Sequence, residues 1–179
     1  MRSFMDIRDS GACYVDKTEL IDRILGRMAG VFMLLRPRGF GKSINLSMLD
    51  AYLSLGYKGN TWFDGLRISD IRPDDIEKNA SPVIYLDLEG IPMDSLETFR
   101  EGLAGRIADA CDRFRGLETS EKQDSNDMDI LRSLRSKEAG RTMIVFSMSI
   151  LSRMLHWEYR RKAIILVDGY DSPILDSYG

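Results

Sequence analysis

The segment RPRGFGKS, residues 36–43, limits the choice of folds for this chain more than any other stretch does. It ends in Gly-Lys-Ser, as the phosphate-binding motif G-x-x-x-x-G-K-[ST] does, although Arg36 stands where that motif has its first glycine. A continuous apolar run, residues 31–35, precedes the segment, and an apolar-striped stretch follows it from near Gly41 to about Leu55. A buried strand, a glycine-containing loop and a helix in this order are typical of a phosphate-binding loop, which the sequence therefore predicts.

The residues of this loop have the chemistry that a nucleoside triphosphate site requires. In such loops, backbone N–H groups and the positive end of the following helix surround the phosphates. Gly41 permits close approach of the backbone, Lys42 supplies a positive charge, and the Ser43 hydroxyl is a ligand for Mg²⁺. We therefore expect ATP and Mg²⁺ as cofactors, and as nucleotide-binding residues Arg36, Pro37, Arg38, Gly39, Phe40, Gly41, Lys42, Ser43 and Ile44.

A second candidate site follows the apolar run AIILV, residues 163–167, which leads into Asp168. In P-loop enzymes an Asp near the phosphates holds Mg²⁺, so we expect Ser43 and Asp168 to be the metal ligands. Asp171, three residues further on, is our candidate for positioning the attacking water. Lys42, Asp168 and Asp171 are thus the expected catalytic residues.

Helical periodicity and apolar runs alternate along the rest of the chain. Strands are predicted over residues 82–88 and 163–168, and a first helix over residues 16 to about 28. Two further helices are predicted from apolar stripes, which consist of Leu96, Phe99, Leu103, Ile107, Ala110 and Phe114, and of Ile144, Met148, Leu151 and Leu155. This alternation predicts an α/β domain with a largely parallel sheet that is covered on both faces.

Smaller signals predict where some of these elements begin and how they are joined. Asp16 with Glu19, and Asp94 with Glu97, have the spacing of capping boxes at helix N-termini. The polar and acidic stretch over residues 116–129 predicts a mobile connection.

Length and charge narrow the class of protein. The 179 residues suit one domain, residues 1–179, with a core from about residue 12 to 175. The net charge of −3 gives no general attraction to nucleic acid. The sequence contains no apolar run near the ~20 residues of a membrane span, and its N-terminus does not resemble a signal peptide. Its two widely spaced cysteines suit the core of a protein in a reducing compartment. We therefore expect a cytoplasmic protein.

Five stretches of sequence occur together in a fixed order. They are YVDKT at 14–18, RPRGFGKS at 36–43 with NLSML at 45–49, FDGLRI at 63–68, PVI at 82–84, and LVDGYDSP at 166–173. In this combination the chain resembles the predicted AAA-ATPase-like family of bacteria and archaea over nearly its whole length. The resemblance implies a P-loop NTPase fold with three layers, α/β/α, around a mainly parallel sheet. Because family members usually continue further, often into a nuclease-like domain, it also implies that the fold is incomplete at the C-terminus.

The resemblance also bears on individual residues. The family has arginine at the positions of Arg36 and Arg38, which would then face the anion, although both could instead anchor the loop through carboxylates. Asp16, Lys17 and Thr18 would approach the nucleotide, or Asp16 would cap a helix. The family has glutamate where this chain has Gly169.

The departure at position 169 leaves more than one function open. The leading interpretation is a Mg²⁺-dependent ATPase whose hydrolysis is weakened or absent, because Gly169 carries no group that polarises water. The alternatives are a non-hydrolysing, nucleotide-responsive interaction module with a protein partner of unknown identity, and a phosphotransferase that acts on a small acceptor. The sequence does not indicate the oligomeric state.

Overall fold

The computed structural model describes residues 3–27, 30–35, 37 and 39–171. The chain divides into two compact units, Met1–Ala80 and Ser81–Gly179. Among the described residues the structure has seven α-helices and a two-stranded parallel sheet, so the mixed α/β class is confirmed. That both units form a single domain over residues 1–179 stays a prediction.

The first unit is helical in its described part. Its helices are α1 (Phe4–Asp9), α2 (Glu19–Leu25), α3 (Lys42–Leu53) and α4 (Arg67–Ile71), with a short 3₁₀ turn at Leu55–Tyr57. Three aromatic rings, those of Phe4, Tyr52 and Phe63, form the centre of its core, with Phe63 lying 5.0 Å from each of the other two centroids. The Phe4 amide donates to Ser47 Oγ at 2.8 Å, which ties α1 to α3.

Helix α3 begins and ends close to where the sequence predicted. It starts after Gly41, and it runs to Leu53, two residues short of the predicted limit. The second half of the helix carries the buried side chains, among them Met48, Leu49, Tyr52 and Leu53. Because residues 47–53 are all buried, this half of the helix is covered on all sides and not only along one apolar stripe.

The predicted strand over residues 31–35 is wrong for this structure. The segment has no regular secondary structure, and the side chains of Val31, Met33 and Leu35 are 86%, 64% and 70% exposed. A strand forms only with a neighbour that completes its hydrogen-bond ladder, and the described part of the first unit contains no strand. An apolar run alone therefore did not specify a strand.

Asp16 caps a different helix from the predicted one. The Asp16–Glu19 capping box is absent, and α2 starts at Glu19 without a side-chain cap. Asp16 Oδ1 instead accepts from the amide and hydroxyl of Thr18, at 2.8 and 2.7 Å. Asp16 Oδ2 accepts from the Arg67 amide at 2.8 Å, and Thr18 Oγ1 accepts from the Ile68 amide at 3.1 Å. The YVDKT stretch thus caps α4, which lies about fifty residues further along the chain.

The second unit contains the sheet. Strands β1 (Val83–Asp87) and β2 (Ile164–Asp168) are parallel, with Val83 opposite Ile164 and Asp87 opposite Asp168. Both strands lie within their predicted segments. The connection between them contains α5 (Leu96–Asp112), α6 (Ser125–Arg135) and α7 (Arg141–Tyr159). The buried core joins β1 to all three helices, through residues that include Ile84, Leu86, Ile107, Cys111, Leu131, Leu151, Met154 and Leu155.

Several predictions for the second unit are corrected by its contacts. The cap of α5 is Ser95 with Thr98, whose side chains each accept from the other's amide, so Asp94 and Glu97 are not the capping pair. Leu96 is 68% exposed at the start of the predicted stripe. Strand β2 is not buried on both faces, since Ile165 is 43% exposed.

The predicted mobile connection over residues 116–129 is ordered. It contains a 3₁₀ helix, Arg115–Thr119, and the start of α6, whose first turn is capped by Asp124. Leu117 is buried, and Arg153 of α7 contacts the Asp127 carboxylate at 2.5 Å. Polar composition indicated mobility, but a few buried and paired side chains are enough to fix this segment.

The two cysteines differ in their surroundings. Cys111 is buried in α5, and burial raises the pKa of its thiol to about 12. Cys13 is exposed, so the expectation that both thiols lie in a core is wrong for Cys13.

Candidate functional site

The predicted phosphate-binding loop leads directly into α3. Gly41 is the N-cap of the helix and has a left-handed backbone, with φ of 74° and ψ of 23°. Gly39 also has a positive φ, of 82°. Within residues 3–27, 30–35, 37 and 39–171, no heavy atom lies within 4 Å of where a Cβ would stand on either glycine. Left-handed residues in such a loop turn backbone N–H groups toward one side, which is how anion-binding loops are built.

The first turn of α3 suits a negatively charged ligand. It contains no acidic residue, and its N-cap has no side chain that could accept from the helix amides. The first helical hydrogen bond runs from the Asn45 amide to the Gly41 carbonyl, at 3.0 Å. The amides before Asn45, together with the helix dipole, therefore form a positive end in a helix of 12 residues.

The other loop residues lie around this helix end. The Phe40 amide donates to the Pro37 carbonyl at 3.4 Å, and the Phe40 ring is 67% exposed. Lys42, Ser43 and Ile44 are half-buried in the first turn. Arg36 and Arg38 lie outside the described residues, so their predicted contact with the anion stays a prediction.

Asp168 lies at the carboxyl end of β2, as predicted. It is 6% exposed, and its Oδ1 accepts from the Gly169 amide at 2.9 Å. Its Oδ2 accepts from the Tyr85 hydroxyl at 3.3 Å, which orients the carboxylate from the neighbouring strand. Because both partners are neutral donors, they leave the carboxylate charge available to a cation or to a metal-bound water.

Asp87 stands opposite Asp168 at the end of the sheet. Its Oδ1 accepts from the Glu89 amide at 2.9 Å, and the Leu88 amide donates to the Asp168 carbonyl at 2.9 Å. Asp171 lies half-buried in the turn after β2. Lys42 and Ser43 belong to the first unit, whereas Asp168 and Asp171 belong to the second.

Gly169 occupies a backbone position that no other residue fits easily. Its φ is +63°, a left-handed conformation that disfavours residues with a Cβ. A Cβ on Gly169 would lie 2.6 Å from the Glu89 nitrogen and 3.0 Å from the Glu89 Cα. A glutamate at position 169 would therefore collide with the backbone of Glu89, which follows β1.

Sequence reasoning missed two features of these units. The first is that Asp16 and Thr18 cap α4. No local spacing predicts this contact, because the two stretches lie about fifty residues apart in the sequence. The second is Glu89. It lies two residues after the end of β1, and Asp171 lies three residues after the end of β2. The signal for Glu89 is its place just after β1, because the carboxyl ends of parallel strands lie at the same edge of a sheet.

The side chains predicted to bind Mg²⁺ have the type of donor atom that this ion prefers. Among residues 3–27, 30–35, 37 and 39–171, no group of three or more His, Cys, Asp or Glu side chains is placed to hold a metal ion. Mg²⁺ in nucleotide sites takes one or two protein ligands and completes its shell with phosphates and water. Ser43, in the first turn of α3, has a hydroxyl, and Asp168 has a carboxylate, which are oxygen donors of the kind that Mg²⁺ takes. That the two bind one ion stays a prediction.

No helix in the described part of the chain combines the length and the apolar character needed to cross a membrane.

Comparison with known proteins gives one result that covers the entire sequence. No curated protein and no solved structure matches the chain. The AAA-ATPase-like family, described as predicted AAA-ATPases, matches residues 1–179. On this match, which extends over both units, the chain belongs to the predicted AAA-ATPase family.

Proposed function

We propose that this chain is an ATP-binding P-loop domain and a Mg²⁺-dependent ATPase with slow turnover. The observation that carries the proposal is the pair of left-handed glycines, Gly39 and Gly41, before the uncapped first turn of α3. Membership in a family of predicted AAA-ATPases supports it. The three-layer P-loop architecture is part of this proposal, and the parallel pair of strands joined through helices supports it.

The role proposed for each residue follows from the chemistry of its side chain or backbone. Lys42 and the loop amides bind the phosphates, with Arg36 and Arg38 as further anion contacts. Ser43 and Asp168 are the proposed ligands of Mg²⁺, which when bound neutralises charge on the β- and γ-phosphates. The buried position of Asp168 and its two neutral hydrogen-bond donors favour a carboxylate fixed in orientation.

Lys42→Ala tests the proposal by titration calorimetry with Mg-ATP. Loss of a charged hydrogen-bonding group costs about 1.5–3 kcal/mol, which corresponds to a fall in affinity of roughly 10- to 150-fold. Lys58→Ala is the matched control, because Lys58 is an exposed lysine of the same unit beyond the end of α3. Equal affinity in the Lys42→Ala and wild-type proteins, with unchanged melting temperatures, would overturn the proposal.

A second candidate function is a nucleotide-responsive interaction module that does not hydrolyse ATP. The observation that favours it is Gly169, whose left-handed φ and contact with Glu89 exclude a catalytic side chain there. Release of labelled phosphate from ATP distinguishes the two candidates. Tight Mg-ATP binding without phosphate release would favour the module.

A further inference from the structure

Hydrolysis of ATP needs a group that orients the attacking water, and position 169 cannot provide it. A carboxylate that lies beside position 169 could take over this role. The close approach at Gly169 identifies the neighbour: a Cβ on Gly169 would lie 3.1 Å from the Glu89 Cβ. The side chain of Glu89 therefore starts within van der Waals distance of where a side chain at position 169 would start.

The backbone of Glu89 is held in place on both sides. Its amide donates to Asp87 Oδ1 at 2.9 Å, and its carbonyl accepts from the Arg106 guanidinium of α5 at 2.6 Å. Glu89 is exposed, and among the described residues its carboxylate enters no hydrogen bond or ion pair. A fixed backbone with an unengaged carboxylate is the arrangement expected of a group that acts on a solvent molecule.

The other carboxylates at this edge differ from Glu89 in their surroundings. Asp168 is 6% exposed and accepts from Gly169 and Tyr85. Asp87 holds the Glu89 amide. Asp171 lies half-buried in the turn after β2 and is the competing candidate.

We propose that Glu89 is the catalytic residue that orients and deprotonates the attacking water, in place of a side chain at position 169. This inference rests on the proposed ATPase function. In the step, the water oxygen forms a bond to the γ-phosphorus, and the bond from that phosphorus to the bridging oxygen breaks. The electron pair of the broken bond leaves with ADP, and the water proton passes to the Glu89 carboxylate and then to solvent.

Glu89→Gln in the full chain tests this, with Mg-ATP binding and phosphate release measured on the same samples. We expect phosphate release to fall by about 10²–10⁴-fold, the usual effect of removing a general base. The affinity for ATP should stay within about twofold, because the residue acts in the transition state. Asp171→Asn tests the competing carboxylate, and Glu101→Gln, an exposed residue on α5, is the matched control.

The outcomes separate this inference from the proposed function. If Mg-ATP binds in a Lys42-dependent manner while Glu89→Gln releases phosphate at the wild-type rate, the inference fails and the proposed nucleotide site stands. Loss of turnover in Asp171→Asn alone, or a wild-type protein that binds ATP without releasing phosphate, also overturns the inference. If the wild-type protein binds no ATP, the proposed function itself fails.

Discussion

Gly102 on α5 lies against Ile91 so closely that a Cβ at position 102 would stand 2.7 Å from the Ile91 Cγ2. Ile91 is 4% exposed, so its branched side chain has little room to withdraw. Gly102→Ala should therefore lower the free energy of unfolding by about 1–3 kcal/mol, the usual cost of overpacking. Chemical denaturation of the variant measures this change.

Gly105, one turn later on the same helix, is the control for Gly102. Of the residues that the structure describes, a Cβ there would meet only Lys137, at its Nζ, 3.9 Å away. Gly105→Ala should raise the free energy of unfolding by about 0.5–1 kcal/mol, because alanine restricts the unfolded chain and favours the helix. Equal effects of the two substitutions would mean that Ile91 does not limit the space at Gly102.

Gly169→Ala should destabilise the protein more than Gly90→Ala does. Both glycines have positive φ, of 63° and 73°, so each substitution carries the left-handed penalty of about 1–2 kcal/mol. Gly169 also faces backbone atoms of Glu89, whereas in the described part of the chain nothing lies within 4 Å of a Cβ on Gly90. We expect Gly169→Ala to cost at least about 1 kcal/mol more in the free energy of unfolding.

The same contact predicts the outcome of restoring glutamate. Gly169→Glu should lower the melting temperature and should not raise ATP turnover, since the new side chain must displace the Glu89 backbone. Stable folding together with faster phosphate release in Gly169→Glu would contradict both this prediction and the inference about Glu89.

Thr18→Val should destabilise the first unit. The Thr18 side chain is fully buried and its Oγ1 accepts from the Ile68 amide, so valine leaves a buried N–H group without its acceptor. The expected loss in the free energy of unfolding is about 1–3 kcal/mol. The affinity for Mg-ATP of the folded variant should not change, because Thr18 caps α4. A large fall in affinity without loss of stability would instead support a nucleotide contact.

Thr119→Val serves as the control for Thr18. The Thr119 hydroxyl donates to the Gly116 carbonyl at 3.3 Å and is exposed, so water can replace this bond. Its removal should change the free energy of unfolding by no more than about 0.5 kcal/mol.

Glu158 should make stability depend on pH in the acidic range. The Ser120 hydroxyl, at 2.5 Å, followed by Lys122 and Gln123, lowers the pKa of the Glu158 carboxyl from its ordinary value. A carboxyl with a lowered pKa in the folded state stabilises the protein above its unfolded pKa, and this contribution is lost as pH falls through the folded value. Stability should thus decline as pH falls below about 4.3, the ordinary glutamate pKa.

Glu158→Gln isolates that contribution. The variant should lose about 1 kcal/mol at neutral pH, a small value because the carboxylate lies near the surface. Its free energy of unfolding should depend less steeply on pH below about 4.3 than that of the wild-type protein. Denaturation curves across this range, for both proteins, provide the measurement. Parallel pH profiles would show that the Ser120 contact does not stabilise the charged carboxyl.

The elements that the sequence predicted correctly are those with a local signal. Helix α7 follows from the spacing of Ile144, Leu151 and Leu155, and all three are buried. Strand β2 follows from a run of branched residues that ends in Asp168. In each case a few neighbouring residues contain enough information to specify the element.

The predictions that failed depend on partners distant in sequence. Residues 31–35 have the composition of a strand, but a strand forms only beside a neighbouring strand that completes its hydrogen bonds. Asp16 is of a residue type that commonly caps helices, but its contact with the Arg67 amide determines which helix it caps. A Cβ on Gly169 would meet the Glu89 backbone, a contact that no spacing around position 169 reveals.

The bonds from Asp16 and Thr18 to the start of α4 have a consequence for the order in which the first unit folds. They join residues 51 and 50 positions apart, and the Asp9–Trp62 hydrogen bond spans 53. Closing loops of this length is entropically costly and slow compared with forming helices. During synthesis, α3 and its glycine loop emerge from the ribosome before these bonds can form. Because the Asn79 side chain also donates to the Ala51, Tyr52 and Ser54 carbonyls, the first unit reaches its final set of contacts only after residue 79 has emerged.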